Sequence, residues 1–201
     1  MSSSDILDSI SLALKQTSIT EWLIFITAMI YVVLAAIENV WCWLFGIISS
    51  ALAVYLCFTG KLFLESGLNI FYVIIGFYGW YQWLYGSEEK KEIQITYLSF
   101  SKNVILFFIG LILWIPFGFF AQRYSTQVLP YLDAFITVFS LIATWMEAKK
   151  AIENWLYWIV LDFSGIILFA YRGFYLLALL NIIYTLIAVV GYLKWRKKLT
   201  T

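Results

Sequence analysis

The sequence predicts an all-α integral membrane protein with seven transmembrane helices in a 3+1+3 parallel repeat. The composition is the first reason: 63% of the 201 residues are hydrophobic and 12% are charged, whereas soluble proteins are roughly 45–50% apolar and about 25% charged. The second reason is a series of seven apolar stretches, each near the ~20 residues that cross a bilayer. They lie at about 22–37, 41–58, 66–84, 102–121, 131–148, 155–171 and 173–193.

An internal repeat is the third reason. Residues 68–83 (LNIFYVIIGFYGWYQW) and 180–195 (LNIIYTLIAVVGYLKW) share Leu, Asn, two Ile, Tyr, Gly and Trp at matching positions. Glu38-Asn39 and Glu153-Asn154 extend the match with an offset of 115, which falls to 112 in the later helices. Because one helix separates the copies, both are predicted to have the same orientation, as in parallel-repeat membrane folds.

These observations divide the chain into five predicted segments. They are a polar N-terminal segment (1–20), a first three-helix repeat (21–84), a loop with the linking helix (85–130), a second three-helix repeat (131–195) and a basic C-terminal tail (196–201). The 1–20 segment is predicted to be a short surface helix or a tail.

The distribution of basic residues predicts the orientation. If the helices alternate, one side has Lys15, Lys61, Arg123 and Arg172, and the other has Lys90, Lys91, Lys102, Lys149, Lys150, Lys194, Arg196, Lys197 and Lys198. Cytoplasmic loops carry the excess of Lys and Arg. The N-terminus is therefore predicted outside, and the C-terminus and the charged 85–101 loop in the cytoplasm, where these loop charges form a solvated surface.

Asp162 lies at the centre of the sixth predicted span. A carboxylate there costs roughly 2.5–3.5 kcal/mol on insertion scales, so it must face a cavity or a partner. Trp155 and Trp158 share its helical face. Two indoles beside an acid could hold a cation, with a cation–π attraction of about 0.5–2 kcal/mol each. Pairing with a neighbouring helix and uptake of a proton are the alternatives for this acid.

Four further residues form two matched pairs in the repeat. Asn69 and Asn181 are each followed three residues later by a tyrosine, Tyr72 and Tyr184. An amide and a phenol on one face could hydrogen-bond a sugar or a ring nitrogen, or they could join helices, a common role of buried Asn. Ser49 aligns with the midspan acid at an offset of 113, which predicts an asymmetric binding pocket.

Trp80, Gln82 and Trp83 lie near the cytoplasmic end of the third predicted span. An aromatic belt at the membrane interface is the simpler interpretation, and a cytoplasmic gate is the other. The chain has no histidine, which removes most hydrolase and metal-site designs. It has no phosphate-binding loop of the Walker type, and its net charge of +1 predicts no nucleic-acid partner. Neither an enzyme nor a cofactor is predicted.

Three segments resemble the bacterial PnuC family of vitamin transporters: FGIISSALAVYL, NIFYVIIGFYGWYQW and ENWLYWIVLDFSGIILFAYRGFYLLALLNIIY. The similarity covers about residues 20–195. It implies a SWEET-like fold, a homotrimer, and facilitated diffusion of a vitamin across the inner membrane. It also implies that a cytoplasmic vitamin kinase traps the substrate by phosphorylation. Nicotinamide riboside is the main substrate that the resemblance implies, with thiamine and riboflavin carried by relatives.

Two positions differ from the nicotinamide riboside members of that family: Asn69 replaces a Gln, and Asp162 replaces an Asn. The predicted function is therefore facilitated diffusion of a cationic vitamin, most consistent with nicotinamide riboside and alternatively with thiamine. A proton-coupled symporter, in which Asp162 takes up the proton, is a second hypothesis. A membrane enzyme or scaffold is a third, disfavoured by the missing histidine and the small loops.

Overall fold

A computed structural model of the chain describes residues 3–87, 89, 91–124 and 128–200. Lys90, one of the basic residues on the predicted cytoplasmic side, lies outside these ranges, as do residues 1–2 and 201 of the predicted terminal segments. The described residues form eight α-helices and no strand. The helices are α1 (Ser3–Gln16), α2 (Ile19–Ala36), α3 (Cys42–Thr59), α4 (Phe63–Tyr85), α5 (Phe100–Tyr124), α6 (Pro130–Ala148), α7 (Asn154–Tyr171) and α8 (Tyr175–Leu199).

Six helices in the described part of the chain are long and apolar enough to cross a membrane: α2, α3, α5, α6, α7 and α8. Helix α4 has 23 residues and is not one of these six; it contains the polar side chains of Glu65, Asn69 and Gln82. Large apolar side chains such as Ile112 and Phe163 are exposed on the outer surface, as expected where lipid is the solvent. The chain is therefore an all-helical, multi-pass membrane protein.

The polar N-terminal segment contains helix α1, which packs against α8. A capping box separates α1 from α2: the Ser18 side chain accepts from the backbone of Glu21, and the Glu21 side chain accepts from the backbone of Ser18. These two bonds satisfy N–H groups that have no partner within the helix. Helix α2 therefore begins at Ile19.

Two groups of three helices make up the centre of the molecule. Helix α3 packs against α2 and α4, and α7 packs against α6 and α8. The groups meet twice, where α2 packs against α8 and where α4 packs against α6, and α5 lies against α6. Helix α6 is the most buried spanning helix, because it contacts α4, α5 and α7.

The two groups match with a constant spacing of 112 residues. This spacing separates the two ends of α3 from those of α7, the start of α4 from that of α8, and the end of α2 from that of α6. Left-handed backbone positions follow it too: Glu38 (φ 61°) matches Lys150 (φ 49°), and Lys61 (φ 61°) matches Gly173 (φ 79°). The predicted offset of 115 is therefore wrong, because a shared Glu-Asn dipeptide misaligned Glu38 with Glu153 across a turn.

One end of the bundle, here called the loop end, carries the turns after α2 and α6 and the segment that joins α4 to α5. Thr96 from that segment forms a short parallel bridge: its N–H donates to Lys150 O and its carbonyl accepts from Ile152 N, both at 3.0 Å. Glu153 accepts from the backbone N–H of Leu98 at 3.0 Å. The segment therefore lies across the helix ends and closes the bundle there.

Candidate binding site

Two adjoining cavities, each of about 200 Å³, lie between the two groups of helices. The first, here called the charged cavity, is lined by Tyr31, Glu147, Trp155, Trp158, Asp162 and Tyr184. The second, the hydroxyl cavity, is lined by Ser49, Ser50, Tyr72 and Thr144. Tyr31 and Trp158 line both cavities, so these two rings lie at the boundary between them.

The two cavities occupy corresponding positions of the two helix groups. At the 112-residue spacing, Asp162 of the charged cavity matches Ser50 of the hydroxyl cavity, and Tyr184 matches Tyr72. The predicted alignment of Ser49 with Asp162 is wrong by one residue, because the ends of α3 and α7 are 112 residues apart and not 113. Ser49 lies beside Ser50, and its hydroxyl donates to Ile24 O at 3.1 Å. Related positions therefore carry an acid in one cavity and a small hydroxyl in the other.

Helix α7 contributes three side chains to the charged cavity. Trp155, Trp158 and Asp162 line it together, as expected for residues three and four apart on one helix. Asp162 is half-buried and forms no hydrogen bond or ion pair with any residue in the described ranges. Tyr184, from α8, lines the same cavity. The carboxylate of Asp162 therefore faces the cavity without a protein cation to neutralise it.

A second acid of this cavity, Glu147, was not predicted from the sequence. It lies in the last turn of helix α6 with 2% of its surface exposed, and Tyr31 Oη donates to its Oε2 at 2.8 Å. The indole of Trp158 lies beside the carboxylate, but Oε1 has no hydrogen-bond partner in the described part of the chain. An acid just before Lys149 and Lys150 is typical of a solvated helix end, so nothing in the local sequence marked it.

Asn69 and Asn181 lie in neither cavity. Each side-chain amide donates to the carbonyl four residues earlier, Asn69 to Glu65 O and Asn181 to Leu177 O, both at 2.8 Å. Their predicted partners lie closer to the site. Tyr72 lines the hydroxyl cavity, with its phenol 2.7 Å from the hydroxyl of Ser140. The structure thus brings together six of the eight predicted binding residues and leaves the two amides outside.

Four tryptophans form a buried layer next to the charged cavity. Trp43, Trp83, Trp155 and Trp195 are each at most 1% exposed. Trp83 lies 5.6 Å from Trp43 and 5.9 Å from Trp195, and Trp155 lies 5.5 Å from Trp195, measured between ring centroids. Two of the three contacts are edge-to-face, a favoured arrangement of aromatic pairs. Since Trp155 also lines the cavity, this layer separates the cavity from the loop end.

Hydrogen bonds across the two helix groups fix the tryptophan layer. Trp83 Nε1 donates to Glu147 O at 3.0 Å, and Trp195 Nε1 donates to Ala35 O at 3.2 Å. Of the three gate candidates, only Trp83 belongs to the layer. Trp80 contacts the ring of Trp41, and Gln82 donates to the hydroxyl of Tyr78 at 3.3 Å. Neither of these two side chains lines a cavity, although Trp80 packs against the cluster that contains the tryptophan layer.

A cluster of charges covers the tryptophan layer at the loop end. Lys150, fully buried, lies 2.7 Å from Glu38 and 3.1 Å from Glu92, and its ammonium lies 4.7 Å from the centroid of Trp83. Lys198 also pairs with Glu38. Burial raises the pKa of Glu38, but hydrogen bonds and charge from the two lysines outweigh it, so the pKa is lowered from 4.5. The described charges of the predicted 85–101 loop, Glu89, Lys91 and Glu92, are exposed, whereas Lys150, in the turn after α6, is enclosed.

Asp162 and Glu147 do not form a metal site. Among the described residues there is no group of three or more His, Cys, Asp or Glu side chains that could hold a metal ion. The cavity instead combines two carboxylates with aromatic rings. Such a site suits an organic cation, because the acids supply charge and the ring faces supply cation–π attraction.

The profile of the nicotinamide mononucleotide transporter family matches residues 18–197, which is nearly the whole chain. The chain belongs to this family. It is therefore a transporter and not an enzyme, and the resemblance to PnuC proteins noted from the sequence is confirmed.

Individual members of the nicotinamide mononucleotide transporter family are similar over most of their length. The nicotinamide riboside transporter PnuC of Escherichia coli K12 is 27% identical over 195 residues, covering 85% of this chain and 82% of its own. The riboflavin/roseoflavin transporter RibM of Streptomyces davaonensis is 22% identical over 173 residues, covering 85% and 81%. A crystal structure of the vitamin B3 transporter PnuC superposes with a TM-score of 0.71, at 24% identity, covering 96% of this chain and 87% of that one. The fold is therefore shared.

Proposed function

We propose that this chain is a bacterial inner-membrane facilitator for a cationic vitamin, most consistent with nicotinamide riboside and alternatively with thiamine. The observation that carries the proposal is Asp162, which faces a cavity walled by aromatic rings and has no cationic partner among the described residues. A permanent ring cation would supply the missing charge. Relatives named as nicotinamide riboside transporters support this choice of substrate.

The two cavities suit the two parts of a ribosylated ring. In the charged cavity, the cationic ring would lie against Trp158 and near Asp162, where cation–π and charge attraction act together. The hydroxyl cavity adjoins it and offers the side chains of Ser50, Tyr72 and Thr144. Hydroxyl groups both donate and accept hydrogen bonds, so they suit the ribose. The hydroxyethyl arm of thiamine, with its single hydroxyl, would use fewer of them.

The proposed architecture is a seven-span, SWEET-like 3+1+3 fold, with α4 as the seventh span and α5 as the linking helix. The N-terminus lies outside and the loop end faces the cytoplasm, in accordance with the Lys and Arg distribution. In this orientation the tryptophan layer closes the cavity on the cytoplasmic side, and Trp83 becomes the gate residue. Homotrimer formation and trapping of the product by a cytoplasmic vitamin kinase complete the proposal.

The test is a calorimetric titration of the purified chain with nicotinamide riboside, thiamine and riboflavin. Asp162→Asn keeps the shape of the side chain and removes its charge. We expect this variant to bind the two cations about ten- to a hundredfold more weakly, which corresponds to the roughly 1.5–3 kcal/mol of a charge-assisted hydrogen bond. Asp8→Asn, an exposed acid in α1, is the matched control. Unchanged cation binding by folded Asp162→Asn would remove the basis of the proposal.

Proton coupling is the second candidate, favoured by the same unpaired Asp162. A facilitator equalises the substrate concentration across the membrane whatever the ion gradient. Uptake into proteoliposomes that contain no kinase separates the two functions. Accumulation above the outside concentration under an imposed proton gradient would identify a symporter, and its loss in Asp162→Asn would assign the proton to that residue.

A further inference from the structure

A third cavity lies on the outer surface of the bundle and shares no lining residue with the candidate binding site. It is an open groove of about 240 Å³ between α2 and α8, here called the lateral groove. Val33, Ala36 and Ile37 of α2 line one side, and four aliphatic residues of α8 line the other. Ala36 is 3% exposed and Leu186 is 62% exposed. The lateral groove is therefore an aliphatic recess that opens toward the surrounding lipid.

The lateral groove ends at a charged side chain. Lys194 is the one charged residue among those that line it, and it lies near the loop end, where Lys198 of the same helix pairs with Glu38. From Ile183 to Lys194 the groove follows one face of α8 for eleven residues, or about 16 Å of helix axis. That length is close to half of the ~30 Å hydrocarbon core of a bilayer. The groove therefore has the apolar depth of a single leaflet, with a cation where the headgroups begin.

The charge of Lys194 has no use within the described protein. This exposed side chain forms no hydrogen bond, ion pair or ring contact with any residue in the described ranges. Glu38, the acid in the turn after α2, is already paired with Lys150 and Lys198. The ammonium of Lys194 is therefore available to an anion at the membrane surface.

The corresponding interface of the repeat, between α4 and α6, is built from larger side chains. At the 112-residue spacing, three aliphatic positions of the lateral groove match aromatic residues there: Val33 and Trp145, Ile183 and Phe71, Val190 and Tyr78. In that interface the ammonium of Lys149 lies 5.1 Å from the centroid of Tyr78, so a protein ring contacts the cation. The aliphatic walls and the unpaired lysine therefore distinguish the α2–α8 side from its repeat mate.

We propose that the lateral groove binds an anionic phospholipid of the leaflet at the loop end. One acyl chain lies against the aliphatic walls, and the phosphate pairs with Lys194. Basic pockets between spanning helices bind anionic headgroups, and charge-assisted hydrogen bonds to phosphate are among the stronger polar contacts. Because α2 and α8 belong to different helix groups, the bound lipid contacts both groups. This site is separate from the transport cavities and does not depend on the identity of the substrate.

Native mass spectrometry of the detergent-solubilised full-length chain tests the headgroup contact, because it counts bound lipids and measures their affinities. The probes are dioleoylphosphatidylglycerol, which is anionic, and dioleoylphosphatidylcholine, which has the same chains and no net charge. We expect one tightly bound phosphatidylglycerol per chain, preferred about tenfold or more, as for one charge-assisted hydrogen bond. Lys194→Gln should remove most of this preference. Arg196→Gln, the matched control, removes an exposed charge of α8 outside the groove and should keep it.

A second pair of variants tests the acyl-chain contact independently of charge. Val190→Tyr introduces the side chain that occupies the matching position of α4, so it should fill part of the groove. We expect it to weaken the binding of both lipids about tenfold, as overpacking of an occupied site does. Leu193→Tyr is the control, because Leu193 is an exposed residue of α8 that does not line the groove.

Three results would overturn the proposal. The first is equal affinity of the parent protein for the two lipids. The second is an equal loss of preference in Lys194→Gln and Arg196→Gln, which would assign the preference to general surface charge. The third is phosphatidylglycerol binding by Val190→Tyr that matches the parent. If Val190→Tyr also dissociates an oligomer seen in the parent spectra, the groove is a contact between copies of the chain instead. Lys194 is exposed, so its variant remains informative even if Val190→Tyr does not fold.

Discussion

Replacing Lys150 with methionine tests whether the buried charge cluster stabilises the bundle. The ammonium of Lys150 is the central cation of that cluster, 2.7 Å from Glu38 and 3.1 Å from Glu92, and it lies over the ring of Trp83. Methionine has a similar length and is apolar, so the substitution removes the charge with little change in volume. Glu38 is then left with Lys198 as its cation.

The size of the effect follows from the burial of each partner. Removing one member of a buried ion pair costs about 3–5 kcal/mol, because the other charge stays buried without compensation. Glu92 is 60% exposed and can be rehydrated, and Glu38 retains Lys198. We therefore expect the lower end, about 3 kcal/mol of unfolding free energy. For a chain of this size, such a loss lowers the melting temperature by roughly 6–12 °C.

Thermal unfolding in detergent, followed by tryptophan fluorescence, measures this effect. Lys149→Met is the matched control, because Lys149 is the adjacent lysine and is only half-buried. The double variant Glu38→Gln/Lys150→Met should recover most of the lost stability, since it removes both charges. If Lys150→Met melts at the same temperature as Lys149→Met, the cluster does not stabilise the fold. If the double variant is no better than the single one, the loss arises from packing instead.

Three further predictions concern packing, pH and orientation. Gly191→Ala should destabilise the protein by about 1–3 kcal/mol, because a Cβ there would lie 2.8 Å from the Trp155 ring; Gly67→Ala, with open space around it, is the control in the same melting assay. Because the pKa of Glu38 is lowered in the folded state, its stabilising effect should be complete above about pH 4.5 and be lost below it. The difference in melting temperature between the parent and Glu38→Gln should therefore shrink as the pH falls below 4.5, and a constant difference would contradict this. A reporter fused to the C-terminus should be active in the cytoplasm, and activity confined to the periplasm would reverse the proposed orientation.

Helical periodicity was enough to predict part of the candidate site. Residues at i, i+3 and i+7 of an α-helix share a face, so Trp155, Trp158 and Asp162 could be grouped from their spacing alone, and they line one cavity. The positions of the two Asn residues could not be predicted in this way. A mid-helix amide can bond to the carbonyl four residues earlier, which Asn69 and Asn181 both do, and no sequence pattern distinguishes that state from ligand contact.

Glu147 and Lys150 show a second limit of sequence reasoning. Both lie at the end of a predicted span, where charged side chains usually reach water. They are buried because the segment joining α4 to α5 crosses that end and because the tryptophan layer lies beneath it. These are contacts between residues distant in the chain. The offset of the repeat shows a similar limit. An identical Glu-Asn dipeptide suggested an offset of 115, whereas the helix bounds and the left-handed turn positions give 112.

The opposite charges of Glu38 and Lys150 bear on how the two halves recognise each other. These residues occupy equivalent places in the two helix groups and lie in contact. In a symmetric dimer of one three-helix unit, equivalent residues face each other across the axis, so Glu would meet Glu or Lys would meet Lys. Two like charges buried there would repel. Covalent linkage of two unlike halves permits a complementary pair, and the pair in turn disfavours association of either half with its own copy.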